Sequence, residues 1–176
     1  AKTTGVQAGW KKLVALTASN WDGTESGFGA NSITNTYEEY MIKGGNIHVG
    51  TDESQVGVQF YIGSWVSTGY FWFELNNSTG GTGVSAQADG NGSYIQILRS
   101  MGSASGESGD FTFFLSNPAA TDNAKRIYWT ATGMDSGGNL KMQSGVGGLL
   151  HESALTNIRF LPNQGVITSG EFTLFG

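Results

Sequence analysis

Short runs rich in β-branched and aromatic residues recur along the chain, and clusters of Gly, Ser, Asn and Asp separate them. The runs fall at 10–17, 37–44, 54–63, 69–75, 93–100, 110–116, 125–132, 156–162 and 171–175, with a weaker one at 139–145. No segment holds an apolar repeat of helical period. Inside the runs the alternation has period two. Val56, Val58, Phe60 and Ile62 share one side, and Gln55, Gln59 and Tyr61 share the other. Ile127 and Trp129 alternate with Tyr128 and Thr130, and Phe111, Phe113 and Leu115 alternate with Thr112, Phe114 and Ser116. Half-buried antiparallel strands carry this signature. Tyr94, Ile95, Ile97 and Leu98 blur it, as a strand covered on both faces would. The expected fold is all-β: an antiparallel β-sandwich, jelly-roll-like, of about eight to ten strands.

Composition agrees. Gly accounts for 28 of 176 residues, Pro for 2, and aromatics for 12%. Charged residues make up 13%, about half the usual share. Tight turns need residues that tolerate positive φ, and 77–83, 89–92, 103–109 and 135–139 supply them. This length suits one domain. We expect a single β-sandwich domain over 10–176, preceded by an N-terminal arm over 1–9. There is no Cys, so no disulfide or thiolate metal site is available. The net charge of −5 and the scattered Lys and Arg oppose a phosphate-backbone partner, so no nucleic acid is expected. No apolar run reaches the roughly 20 residues of a membrane-spanning helix, and no secretory leader is visible, so membrane insertion is not expected.

Chemistry is sparse. His48 and His151 lie in turn-like sequence with no nucleophile motif beside them. Among the acids, Glu38 and Glu39 would point to opposite faces of a strand, Asp52 and Glu53 lie in a loop, and Glu74 is the best single candidate. An acid in an aromatic strand is read as a surface residue. The stretch GTGVSA at 81–86 has no helix after it, as a dinucleotide loop requires. DGNGS at 89–93 lacks the distal bidentate Glu of a calcium loop and reads as a hairpin turn. No catalytic, metal or cofactor site is expected. The remaining resource is aromatic, because sugar rings and protein partners both use exposed Trp and Tyr. Trp21 and Trp65, set among Gly, Ser and Thr, together with Tyr70 are the candidate glycan or receptor contacts.

The last residues, ALTNIRFLPNQGVITSGEFTLFG, read as strand, turn, strand. They resemble the closing segment of a family of bacteriophage virion proteins found at tail-fibre C-termini and as small stand-alone structural proteins. Thr156, Ile158, Arg159, Phe160, Gly165, Ile167, Gly170, Phe172, Leu174 and Gly176 match its pattern, Leu155 stands for its Ile, and Phe175 replaces its usual Tyr. The stretches at 37–52 and 111–133 resemble two earlier elements of that family. The resemblance implies a non-enzymatic virion structural protein, assembled in the host cytoplasm. A homotrimeric tail-fibre or host-recognition subunit is the first expectation. The alternatives are a capsid decoration or head-fibre protein and a carbohydrate-binding module outside a virion. Other virion proteins and a host cell-surface glycan would then be partners. Phe172, Leu174 and Phe175 are the candidate subunit interface.

Overall fold

The computed structural model describes residues 9–24, 26–30 and 32–176. The expected arm over 1–9 thus lies outside the described residues, apart from Gly9. Among the described residues twelve strands follow in chain order. They are β1 (Lys12–Trp21), β2 (Gly27–Phe28), β3 (Glu39–Val49), β4 (Ser54–Tyr61), β5 (Tyr70–Ser78) and β6 (Ser85–Gly92). Then come β7 (Ile95–Met101), β8 (Gly109–Ser116), β9 (Lys125–Met134), β10 (Leu140–Leu149), β11 (Asn157–Pro162) and β12 (Ile167–Phe175).

They form an antiparallel β-sandwich. The large sheet has eight strands in the order β1-β12-β3-β8-β9-β10-β5-β6, and the small one has four in the order β2-β11-β4-β7. The alternation read from sequence decides which side chains fill the space between them. Val56, Val58 and Phe60 of β4 are buried, as are Phe111, Phe113 and Leu115 of β8 and Ile127 and Trp129 of β9. β7 is buried on both faces over Ile95–Leu98. An aromatic cluster joins the sheets: Phe160 of β11 lies 4.5 Å from Phe172 of β12, 5.6 Å from Phe111 and 6.4 Å from Phe113, ring centre to ring centre. Burying one such ring contributes about 1.5–3 kcal/mol.

Two strands were absent from the sequence reading. β2 is two residues long and is held by pairing with β11 at Phe28↔Ile158. β6 covers 85–92 and pairs with β5, so residues 89–92 continue a strand instead of turning a hairpin. Asp89 does accept a hydrogen bond from the Asn91 amide at 2.9 Å, but the bend stays inside the ladder as a register shift opposite Tyr70 and Trp72.

The apolar C-terminal strand is not an edge. β12 pairs with β1 on one side and β3 on the other. Phe172 and Leu174 are fully buried in the chain's own core, which corrects their assignment to a subunit interface. Phe175 points the other way and is half-buried, with the Lys43 ammonium 5.9 Å from its ring centre. The motif residues fill structural positions. Ile158, Phe160, Ile167, Phe172 and Leu174 face the core. Gly170 sits at φ 144°, and a Cβ there would stand 3.0 Å from Ile47 Cα.

Candidate functional site

The outward face of the large sheet carries the site, and the strand register builds it. Residues opposite one another in adjacent antiparallel strands point to the same side. Following the register from β12 to β6 gives one row: Phe175, Met41, Phe114, Tyr128, Val146, Phe73, Ala88. Every member is apolar or aromatic. Phe114 and Tyr128 stack at 4.7 Å with 12° between ring planes, and Trp10 closes the near end 5.7 Å from Phe114. Two residues along the strands runs a second row: Thr173, Lys43, Thr112, Thr130, Ser144, Leu75, Ala86.

At the β10–β5 end these rows merge into an exposed apolar patch. Met142 is 63% exposed, Val146 56%, and Phe73 and Leu75 45% each. The register places no charged side chain among them. Exposed apolar surface grouped like this marks a contact site more often than scattered apolar residues do.

At the β12–β3–β8 end the same face sinks into a trough of about 550 Å³. Small residues make the depression. Gly44 and Gly45 stand where β3 bulges between Gly44 and Ile47. Asn46 holds φ at 50° there, and its amide donates to Asp110 Oδ1 at 2.9 Å. The Thr112, Thr130 and Ser144 side chains line one side of the floor, and Asp110, Thr132 and Met142 the other. Lys43, Thr173 and Glu171 close the β12 end.

The three aromatic side chains expected to bind a glycan do not converge. Tyr70 is wholly buried. Its hydroxyl accepts from the Phe60 amide at 2.7 Å and donates to the Val66 carbonyl at 3.3 Å. Burial pushes that phenol up to about 12. It therefore belongs to the core and not to a binding surface. Trp21 is half-buried and stacks on Phe172 at 4.9 Å. Trp65 lies on the opposite side of the molecule, on the outer face of the small sheet. Its ring centre is 4.5 Å from the Arg159 guanidinium carbon, and it meets Tyr61 edge-on at 5.3 Å. Arg159 Nε donates to Gln59 Oε1 at 2.8 Å, so Trp65 caps a guanidinium already held by its neighbour strand.

Glu74 also departs from its expected place. It is fully buried on the inward face of β5, beside the outward-facing Phe73 and Leu75. Asn76 Nδ2 donates to its Oε1 at 3.1 Å, and its Oε2 has no hydrogen-bond partner. Burial raises its pKa above the ordinary carboxylate value, while the Asn76 bond and the charges of Arg99 and Lys141 pull it down. His48 lies 3.3 Å from Asn46 Oδ1 through Nε2, and His151 Nδ1 accepts from the Ser153 amide at 3.2 Å. Among the described residues there is no group of three or more His, Cys, Asp or Glu placed to hold a metal ion, and no helix long and apolar enough to cross a membrane.

Fold and site together define a β-sandwich that presents an uncharged apolar patch and a hydroxyl-lined trough on one sheet face. No family model matches the chain, and no curated protein matches it. A crystal structure of a human SPRY domain is similar at 14% identity, over 88% of this chain and 97% of that one, with a TM-score of 0.27. A likeness that distant carries no argument about this chain.

Proposed function

We propose that this protein is a non-enzymatic structural subunit of a bacteriophage virion, a tail-fibre or host-recognition component that works as a homotrimer. The observation that carries the reading is the exposed patch of Phe73, Leu75, Met142 and Val146 on the outward face of the large sheet. Its occupant is a second copy of the chain. A protein of net charge −5 meets its own copies with least repulsion through a patch that lacks charge. Cyclic symmetry closes such a contact into a discrete particle. The C-terminal resemblance to phage virion proteins supplies the setting.

Light scattering on a sizing column tests the reading. The expected mass is near three times 18.6 kDa, falling to a single chain in Val146→Lys. A wild-type monomer across the accessible concentration range overturns the homotrimer. Antibody labelling of purified particles tests the setting, and unlabelled particles overturn it.

A further inference from the structure

The trough holds hydrogen-bonding groups that the fold does not use. Among the described residues, the hydroxyls of Thr112, Thr130 and Ser144 have no hydrogen-bond partner, nor does the Glu171 carboxylate. Asp110 spends one oxygen on the Asn46 amide and keeps the other. Each hydroxyl both donates and accepts, and each carboxylate oxygen accepts. The charge balance selects the ligand further. Two carboxylates face the single ammonium of Lys43, so a phosphate, sulfate or polyanion meets net repulsion. The shape selects again. The trough crosses from β12 to β10, four strand spacings or about 19 Å, which is room for a short chain and not for one ring. Its volume of about 550 Å³ falls inside the common range for ligand sites.

We infer that the trough binds an uncharged polyhydroxylated chain, a segment of neutral glycan laid across β12, β3, β8, β9 and β10. The strand hydroxyls exchange hydrogen bonds with the sugar hydroxyls, Glu171 and Asp110 accept from them, and Lys43 donates. The stacked pair Phe114–Tyr128 borders the trough and shields those bonds from water on one side. This deepens the host-recognition part of the proposed function, because it names the class of molecule recognised. The trough and the apolar patch meet on β10, where Met142 belongs to both, and the β12 end of the trough lies five strand spacings, about 24 Å, from the Phe73 end of the patch.

The test is titration of the intact protein with neutral oligosaccharides: hexamers of glucose, of galactose and of N-acetylglucosamine, read by calorimetry, with a sulfated oligosaccharide of equal length beside them. Binding of at least one neutral probe is expected, weakened about tenfold or more in Thr130→Leu and Ser144→Leu, as loss of a hydrogen bond and a blocked floor require. Both positions are exposed, and circular dichroism checks their folding. Trp65→Ala, on the opposite sheet, should bind as the wild type does. No binding of any neutral probe, binding of the sulfated probe alone, or unchanged binding in both leucine variants overturns the inference. A trimer that binds none of the probes defeats this inference alone, and a monomer that binds one defeats only the assembly.

Discussion

Lys11 and Gly176 exchange two backbone hydrogen bonds: the Lys11 amide donates to the Gly176 carbonyl at 2.9 Å, and the Gly176 amide returns to the Lys11 carbonyl at 3.0 Å. The ladder between β1 and β12 therefore starts at residue 11. Deleting residues 1–9 leaves every bond of that ladder in place and should change the unfolding free energy by less than about 0.5 kcal/mol. Deleting 172–176 removes Phe172 and Leu174 from the core, each worth about 2–5 kcal/mol, and should leave no cooperative transition. Urea denaturation of both truncations compares them. If the first loses the transition, or the second keeps it, the account of this ladder is wrong. On the proposed function, the first truncation folds but fails to join particles.

Trp129 is fully buried against Gly145 of the adjacent strand. A Cβ at that position would overlap Trp129 Cζ2 and the Phe73 carbonyl oxygen. Gly145→Ala should therefore destabilise the protein by about 1–3 kcal/mol, the usual cost of overpacking. A neutral effect on the urea midpoint would show that the indole has room to move.

The buried Glu74 makes stability depend on pH. Its folded pKa lies above the ordinary 4.5 because burial disfavours the carboxylate. As pH rises past 4.5, the unfolded chain releases the proton while the folded chain still holds it. Stability from this group is then lost as pH rises through the folded value. Glu74→Gln lacks that proton. Its stability relative to wild type should rise from pH 4 to pH 8. Parallel curves over that interval would mean that Glu74 ionises in the fold at no cost.

On the small sheet, Arg159 is held by Gln59 and covered by Trp65. Lys cannot reproduce a planar group that both stacks and donates sideways. Arg159→Lys should cost about 1–2 kcal/mol, and Trp65→Ala about 0.5–1 kcal/mol for the lost cation–π contact plus its burial. The double variant should cost less than the sum of the two. Additive costs would show that the pair is independent.

The sandwich was legible in the sequence wherever a strand has one buried and one wet face. β4, β8 and β9 announce themselves through the alternations at Val56, Phe111 and Ile127. β6 has no such pattern, because Ser85 to Gly92 lies at the sheet edge with almost nothing to bury. β2 exists only through its partner 130 residues away in β11. The site was less legible still. Glu74 inverts the usual order, with the acid turned inward and Phe73 and Leu75 outward, so reading acids as surface residues misplaced it. Tyr70 sits in Gly- and Thr-rich sequence that looks exposed, yet its hydroxyl bonds to the backbone at Phe60 and Val66 inside the core. The outer rows need the register of seven strands at once. No single run shows that Phe114, Tyr128, Val146 and Phe73 stand in line.

The position of β12 also sets an order of events during synthesis. The ribosome makes β1 and β3 early and β12 last, yet β12 lies between them in the sheet. Until residues 167–175 emerge from the exit tunnel, β1 has no neighbour in the sheet and β3 exposes one side. Closure of the eight-stranded sheet must therefore wait until residues 167–175 have been made, and it joins partners more than 100 residues apart. Folding through such distant contacts is slow. Before that the chain presents two open strands, so a delay at the codons for residues 167–175 would expose it to mispairing.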